Sequence, residues 1–493
     1  MDTRITVTEL NTISKKKTIW CIGCGKRLNE LLKVYSEEPF MYKIERLLDS
    51  NSRLWGKEKK VGNSLIKICG FDRIAEAKNE ENIILVTSDH YREIYEIIEQ
   101  QIVSKKIICY QYPIIYSKMT YTFLKWFHML PMKRQILFYA GSEPHENADE
   151  ITRYLEKNYA GKRYSIIYLT DRTKNTETKE VKYLYKETLK QKSSMIQILR
   201  YCNKYARSKF ICYENEPLEK FDDRQVMIYL NHGTVPLKKV NDVLKQPETL
   251  DYAICPGEGC SKIYEDQYGI PIIKQKYMMP ARTNHMLKCN GILHEMTKAG
   301  DRQVVLWLPT FRQLAGSDRV DSTSENVLSI LTECLKDIDE LLEKNHQLLV
   351  IKKHPREKNS LFLGEKTKNI KIITDEQIEK EKADLQEALK DADALLTDYS
   401  SIAFEYMLLD RPIGYVLVDV DYYYRGFSVE NIESYMPGIK IRTAENLKMF
   451  FDEIKKGNDY YKEERKALVK KLFGTHAYEN GAELFVKFLD ELE

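Results

Sequence analysis

Three strings in this chain have the residue types for phosphate chemistry: Asn231-His232-Gly233-Thr234-Val235-Pro236-Leu237-Lys238-Lys239, Lys353-His354-Pro355 and Thr397-Asp398-Tyr399-Ser400-Ser401. Each stands where an apolar run gives way to a polar turn or a helix start. Together they supply two histidines, several lysines, hydroxyls and free backbone N–H groups. Holding a diphosphate and displacing one half of it needs that set of groups.

His232 directly follows the apolar run 226–230, so it is expected at the carboxyl end of a strand. In open α/β sheets that edge is where ligands bind. An imidazole titrates near neutrality and can take a proton from an attacking hydroxyl. The plainer alternative is a histidine that caps the turn. Gly233 permits a tight turn there, and Lys238 and Lys239 are expected to begin the next helix.

The run 348–351 ends in Lys352, Lys353 and His354, with Pro355 stopping the strand. His354 is placed to donate to a phosphate oxygen or to act as general acid; the alternative is a solvated basic turn. Thr397, Asp398, Ser400 and Ser401 lie between the run 392–396 and a helix whose apolar face includes Ile402, Phe404, Met407 and Leu408. Such a turn exposes the first N–H groups and the positive end of a helix, an anion site. Plain N-capping needs only one such residue. Arg312 follows the run 303–308, and Arg425 follows 416–419. Arginine grips phosphate bidentately and keeps its charge. Asp419 and Asp421 have the spacing of a metal pair but read as the start of a loop, so no metal and no cofactor is expected.

These residues need a scaffold, and the apolar runs outline one. Runs at 17–22, 42–44, 82–88 and 105–110, with a helical pattern at 91–98, make a first α/β unit. Runs at 134–139, 164–169, 209–213 and 226–230 make a second; those at 303–308, 347–351, 370–373 and 392–396 make a third. Strands alternating with helices imply parallel sheets. The expected fold is α/β, a GT-B-type pair of Rossmann-like domains with an additional N-terminal Rossmann-like domain. Expected boundaries are 1–115 for that module, 116–133 for a linker or amphipathic segment, 134–295 for the acceptor-side domain and 296–493 for the donor-binding domain. In the first module, Gly23 and Gly25 form half of a dinucleotide fingerprint, with Asp49 near the place of a ribose-binding acid. Leu28 stands where the third glycine belongs, so the fingerprint is incomplete. The segment 114–132 mixes aromatics, methionines and lysines; it suits a helix packed between domains or one lying on a bilayer surface.

Composition narrows the class. The 493 residues are 43% hydrophobic and 31% charged, ordinary for a globular chain with a sizeable core. A net charge of +3 is too small to make nucleic acid the expected partner. Ten scattered cysteines with no secretory leader ahead of them indicate reduced thiols. Cys21 with Cys24 and Cys255 with Cys260 lack the context of a four-thiolate zinc site. No run approaches the roughly 18 apolar residues of a membrane span. The expected place is the cytoplasm, peripheral at most to the inner face of the membrane. Thirty-three tyrosines have no functional reading by themselves.

The ordered set HGT-x-PLKK, PTFR, KKHP, TDYSS-x-x-F-E, RPI and RGF resembles the CDP-glycerol glycerophosphotransferase family, which includes teichoic-acid primases and polymerases. Weaker matches are Ser142 to Asn147, Met279-Pro280-Ala281-Arg282-Thr283-Asn284 and Glu479-Asn480-Gly481-Ala482. The resemblance covers roughly 134–485. It implies His232 as the base that activates the acceptor hydroxyl. It places His354, Arg312, Thr397, Ser400 and Ser401 around the diphosphate, with Arg425 closing the donor pocket. Lys353, Asp398, Gly233 and Lys238 complete the candidate substrate-binding set. Two departures bear on this: Val235 is inserted between HGT and PLKK, and Ala281 interrupts a more usual Pro-Arg. The implied reaction is attack on the β-phosphorus of CDP-glycerol, or CDP-ribitol, by a lipid-linked or saccharide acceptor, releasing CMP. Rival readings are a glycosyltransferase using a sugar nucleotide and a catalytically silent binding module of a surface-polymer assembly complex. Intact His232, His354 and Arg312 speak against the silent module. The string 48–57 resembles Rossmann-like modules fused to bacterial surface-polysaccharide enzymes.

Overall fold

The first apolar run of each of the three expected α/β stretches becomes an inner strand of a sheet. The computed structural model describes residues 5, 7–88, 94, 97–98, 109–111, 118–141, 146–159, 163–170, 181–185, 195–215, 218, 220–221, 223–231, 233–240, 246–247, 249–310, 328–352 and 367–493. The chain divides into two compact units. One comprises Met1–His145, Leu155–Leu230 and Asn241–Ala253; the other comprises Glu146–Tyr154, Asn231–Val240 and Ile254–Glu493.

The first sheet contains β1 (Thr18–Ile22), β2 (Ile44–Asp49), β3 (Glu58–Val61), β4 (Ser64–Gly70), β5 (Asn82–Val86) and β6 (Cys109–Gln111), in the order β3-β4-β2-β1-β5-β6. All pairings are parallel except the β3–β4 hairpin, which was not expected from the sequence. The strand expected at 42–44 starts only at Ile44, because Pro39–Lys43 form a 3₁₀ turn. Most of the helix expected at 91–98 and of the strand at 105–110 lies outside the described residues. Gly23 turns the chain after β1 with φ of +95°, and a Cβ there would meet Thr87 O at 3.2 Å. Asp49 Oδ2 accepts the Cys24 N–H at 2.6 Å and Oδ1 accepts the Asn51 N–H at 2.8 Å. That carboxylate holds the glycine turn against β2, which accounts for an acid at this position without a ribose.

The helix Lys118–His128 follows. Its Thr120, Tyr121 and Leu124 are buried, and Tyr121 donates to Glu38 at 2.6 Å. Lys125 pairs with the same carboxylate at 3.0 Å. One face of the segment is therefore core, while Trp126 is 52% and Met129 69% exposed.

The second sheet contains β7 (Lys133–Gly141), β8 (Ser165–Thr170), β9 (Val181–Tyr185), β10 (Ser208–Tyr213), β11 (Val226–Tyr229), β12 (Tyr252–Cys255) and β13 (Gln275–Tyr277), ordered β13-β12-β11-β10-β7-β8-β9. The third contains β14 (Gln303–Leu308), β15 (Gln347–Lys352), β16 (Ile370–Ile373), β17 (Ala394–Thr397), β18 (Ile413–Val416) and β19 (Ile439–Ile441), ordered β16-β15-β14-β17-β18-β19. Every pairing in the third sheet is parallel. Numbered from its own first strand, this sheet runs 3-2-1-4-5-6, the doubly wound Rossmann order. Its inner strands β14, β15, β17 and β18 are buried on both faces, hence their apolar runs. Around them pack Leu342, Leu447, Phe450 and Phe451, all fully buried. Among the largest fully buried side chains are Tyr35, Tyr168, Tyr205, Tyr213, Tyr229, Tyr264, Tyr399, Tyr406 and Tyr415, so much of the tyrosine bias is core packing.

Candidate active site

In a doubly wound sheet the chain leaves the first strand in one direction and later returns to its other side. The loops after those neighbouring strands diverge and leave a crevice at their carboxyl ends. In the third sheet the strands at that switch point are β14 and β17, paired from Val305 with Ala394 to Leu308 with Thr397. The loop after β14 is Pro309-Thr310, leading to Arg312; the turn after β17 is Asp398-Tyr399-Ser400-Ser401. Two of the sequence motifs therefore open from the same crevice.

Thr397 and Asp398 tie these two loops together. Thr397 Oγ1 donates to Leu308 O at 2.9 Å. Asp398 Oδ2 accepts the Thr310 hydroxyl at 2.9 Å and the Thr310 N–H at 3.1 Å. Both side chains are fully buried. Their hydrogen-bonding groups are thus used within the fold, between the ends of β14 and β17. Ser400 Oγ accepts the Ile402 N–H at 3.4 Å, while Ser401 makes no side-chain capping bond. The helix that follows is shorter than expected, Ile402–Tyr406, and tightens into the 3₁₀ turn Met407–Leu409. Asp410 then adopts φ of +52°, ahead of Pro412, which explains the early stop. The α-helix spans only five residues, so its dipole is a smaller contribution than a longer helix would make.

The turn also meets other motifs. Tyr399 donates to Asp419 Oδ1 at 2.9 Å, and Val420–Tyr422 form a 3₁₀ turn, in keeping with a loop start there. The Tyr399 ring lies 4.7 Å from Tyr423 and 5.0 Å from Phe427, bringing the Arg425 loop against it. No helix begins at Lys238 and Lys239, contrary to expectation. Val235 precedes Pro236, a position biased to extended backbone, and the stretch beyond pairs with the Arg425 loop. Lys238 bridges Phe427, Lys239 N–H donates to Gly426 O at 3.1 Å and Ser428 N–H to Leu237 O at 2.9 Å. Arg425 Nε donates to Lys239 O at 2.5 Å. The two basic motifs thus form one antiparallel edge.

Gly233 and Thr234 stand against the turn as well. Thr234 Oγ1 lies 3.3 Å from Ser401 O and 3.1 Å from Glu405 Oε1. His232, Arg312, Lys353 and His354 lie outside the described residues. Their strands do not: β15 ends at Lys352, which pairs with Asp375 at 2.7 Å, and β15 runs beside β14. Among the described residues, Gly233–Lys239, Pro309–Thr310, Thr397–Ser401 and Arg425–Phe427 are thereby brought together in one unit.

Sequence reasoning missed most of the support around Thr234. Arg282 donates from Nη2 to Glu405 Oε1 at 2.5 Å and from Nε to Oε2 at 3.2 Å, and from Nη1 to Glu146 Oε2 at 2.6 Å. Burial pushes the Glu146 carboxyl up despite that arginine. Glu405 and Arg282 were visible as parts of longer strings; Tyr264 carried no signal. Among the described residues, His285, Asp384 and Glu387 have metal-holding spacing. Arg153 Nη2 stands 3.7 Å from Asp384, so the protein meets those charges itself. The buried cysteines are inert: burial pushes the Cys24 thiol up to about 12.

A doubly wound domain with hydroxyl-bearing and basic loops gathered at its switch point is the construction of a nucleotide-donor transferase. The family model for CDP-glycerol:poly(glycerophosphate) glycerophosphotransferase matches residues 120–483, and the chain belongs to that family. It is a glycerophosphotransferase. It is 24% identical over 362 residues to a teichoic acid poly(glycerol phosphate) polymerase of Bacillus spizizenii, covering 68% of this chain and 87% of the relative. A teichoic acid glycerol-phosphate primase of the same organism is 31% identical over 159 residues, 32% of this chain and 35% of the primase. Among solved structures, the wall teichoic acid polymerase TagF superposes with a TM-score of 0.57 at 16% identity, over 82% of this chain and 97% of that one. That likeness extends the shared fold to most of the chain.

Proposed function

We propose that this chain transfers glycerol phosphate from CDP-glycerol to an acceptor hydroxyl during synthesis of a teichoic-acid-type surface polymer. The acceptor oxygen attacks the β-phosphorus, the pyrophosphate bond to CMP breaks, and His232 takes the hydroxyl proton. Arg312, Lys353 and His354 neutralise the diphosphate, joined by the Ser400 and Ser401 hydroxyls. Arg425 and Lys238, carried on their shared edge, close the donor side, and Gly233 keeps the backbone close. Thr397 and Asp398 serve this site by fixing the loops. Phosphoryl transfer is mostly positioning and charge stabilisation, which these groups supply. The acceptor is read as lipid-linked or saccharide, and the work as done at the inner face of the membrane.

The observation that supports this reading is that the described parts of four motifs, Gly233–Lys239, Pro309–Thr310, Thr397–Ser401 and Arg425–Phe427, meet beside the β14–β17 switch point. Release of CMP should be measured with CDP-glycerol, CDP-ribitol and a UDP-sugar, each with and without a lipid extract. Turnover fastest with CDP-glycerol and dependent on acceptor supports it. Preference for CDP-ribitol moves the donor to that polyol, and turnover of the UDP-sugar alone overturns the reading.

A further inference from the structure

Asn231 and Gly233 bracket His232 in the chain, and side chains from distant segments hold the backbone on both sides. Asn231 adopts φ of +60°, a left-handed conformation that an L-residue keeps only when its surroundings determine it. Its Oδ1 accepts the Gly233 N–H at 3.2 Å, its Nδ2 donates to Tyr264 OH at 2.8 Å, and its carbonyl accepts Asn147 Nδ2 at 2.9 Å. Asn147 Oδ1 accepts the Arg282 backbone N–H at 3.2 Å. The Arg282 guanidinium grips Glu405, and Glu405 Oε1 accepts Thr234 Oγ1 at 3.1 Å. Tyr264 OH donates to Thr234 O at 2.9 Å and so leads back to Asn231.

These bonds close a ring: Asn231, Asn147, Arg282, Glu405, Thr234, Tyr264. Every member is buried and all belong to the second compact unit. A fully connected polar ring away from water has few alternative arrangements, since each broken bond strands a buried group. The rigid guanidinium fork makes Arg282 the member that fixes the most segments at once.

We propose that Asn231, Thr234, Arg282 and Glu405 are positioning residues for the transfer, holding both flanks of His232 so that its imidazole meets the acceptor hydroxyl. This rests on the reading of His232 as the base. Misplacing a catalytic group by about 1 Å costs on the order of a hundredfold in rate.

Thr234→Val keeps the shape and removes the hydroxyl, Thr234→Ser restores it, and Asn231→Gly keeps the left-handed backbone while dropping the side-chain bonds. In CMP-release kinetics with CDP-glycerol, Thr234→Val and Asn231→Gly should lower kcat at least about tenfold, with the donor KM unchanged within about twofold. Thr234→Ser should recover most of the loss. Should Thr234→Val not fold, Asn231→Gly carries the same test. A wild-type kcat in Asn231→Gly and in folded Thr234→Val, with His232→Ala inactive, overturns the ring's role and leaves the base standing. An active His232→Ala removes the base, and this inference with it.

Discussion

Gly233 and Ser401 approach so closely that a Cβ on the glycine would lie 2.7 Å from the serine Oγ and 3.4 Å from its Cβ. One residue belongs to the proposed base turn, the other to the proposed diphosphate turn. Glycine at 233 thus serves the close contact between two motifs, while the left-handed turn beside it is made by Asn231.

Gly233→Ala should force Ser401 to move and lower turnover at least about tenfold, in line with the sensitivity of transfer to positioning. Gly233→Ala/Ser401→Ala should recover part of the loss, because the clash is with Oγ. Additive losses in the double variant would show that the contact does not couple the two turns.

Asp398 joins the loop after β14 to the turn after β17 through two hydrogen bonds to Thr310. Bonds to a charged acceptor are each worth about 1.5–3 kcal/mol. Asp398→Ala should lower the stability measured by urea unfolding by at least that amount and also weaken CDP-glycerol binding in calorimetry. Unchanged donor affinity in the folded variant would separate these loops from the donor site.

The third sheet was legible because parallel strands covered on both faces are written as continuous apolar runs, and its site loops follow them directly. What the sequence concealed is tertiary. Lys238 and Lys239 look like a helix start, yet Pro236 and the partner edge at Gly426–Ser428 keep them extended. The apolar pattern after Ser401 reads as one helix through Leu408, but the α-helix stops at Tyr406 and tightens into a 3₁₀ turn before Asp410 turns left-handed ahead of Pro412. Thr234 finds Glu405 across 171 residues, and no local pattern encodes such a partner. Asp49 occupied the position of a ribose acid while its carboxylate caps its own fold.

His285 donates to Asp384 across 3.2 Å, and Glu150, Glu387 and Arg153 surround the pair. The hydrogen bond to Asp384 raises the His285 pKa; Asp384, though partly buried, is held below the usual carboxylate range by His285. The histidine's contribution is complete below its unfolded value and is lost as pH rises through its raised folded value. The aspartate's is complete above its unfolded value and is lost as pH falls through its lowered one. Both therefore act together between about pH 4 and about pH 6.5. Thermal unfolding of wild type and His285→Gln should differ more at about pH 5.5 than at about pH 8.5. A gap independent of pH would show that the imidazole stays neutral.

The helix Lys118–His128, which carries Lys118 and Lys125, buries one face and leaves Trp126 exposed, and Met129 just beyond its end is exposed too. No described helix is long and apolar enough to cross a membrane. Anionic vesicles should carry the protein upward in flotation, and salt should weaken this, since exposed charges are screened beyond about 10 Å at 0.1 M. Trp126→Ser/Phe127→Ser should float less; equal flotation would assign the segment to packing alone.

On the proposed reading, His232 serves the acceptor and the gathered loops serve the donor. His232→Ala separates them most directly, by CMP release with acceptor present alongside calorimetric titration with CDP-glycerol. Turnover should fall by about 10²–10⁴, the usual effect of removing a general base, while donor affinity stays close to wild type. A variant that keeps more than about half its turnover, against that expected loss, would contradict the assignment.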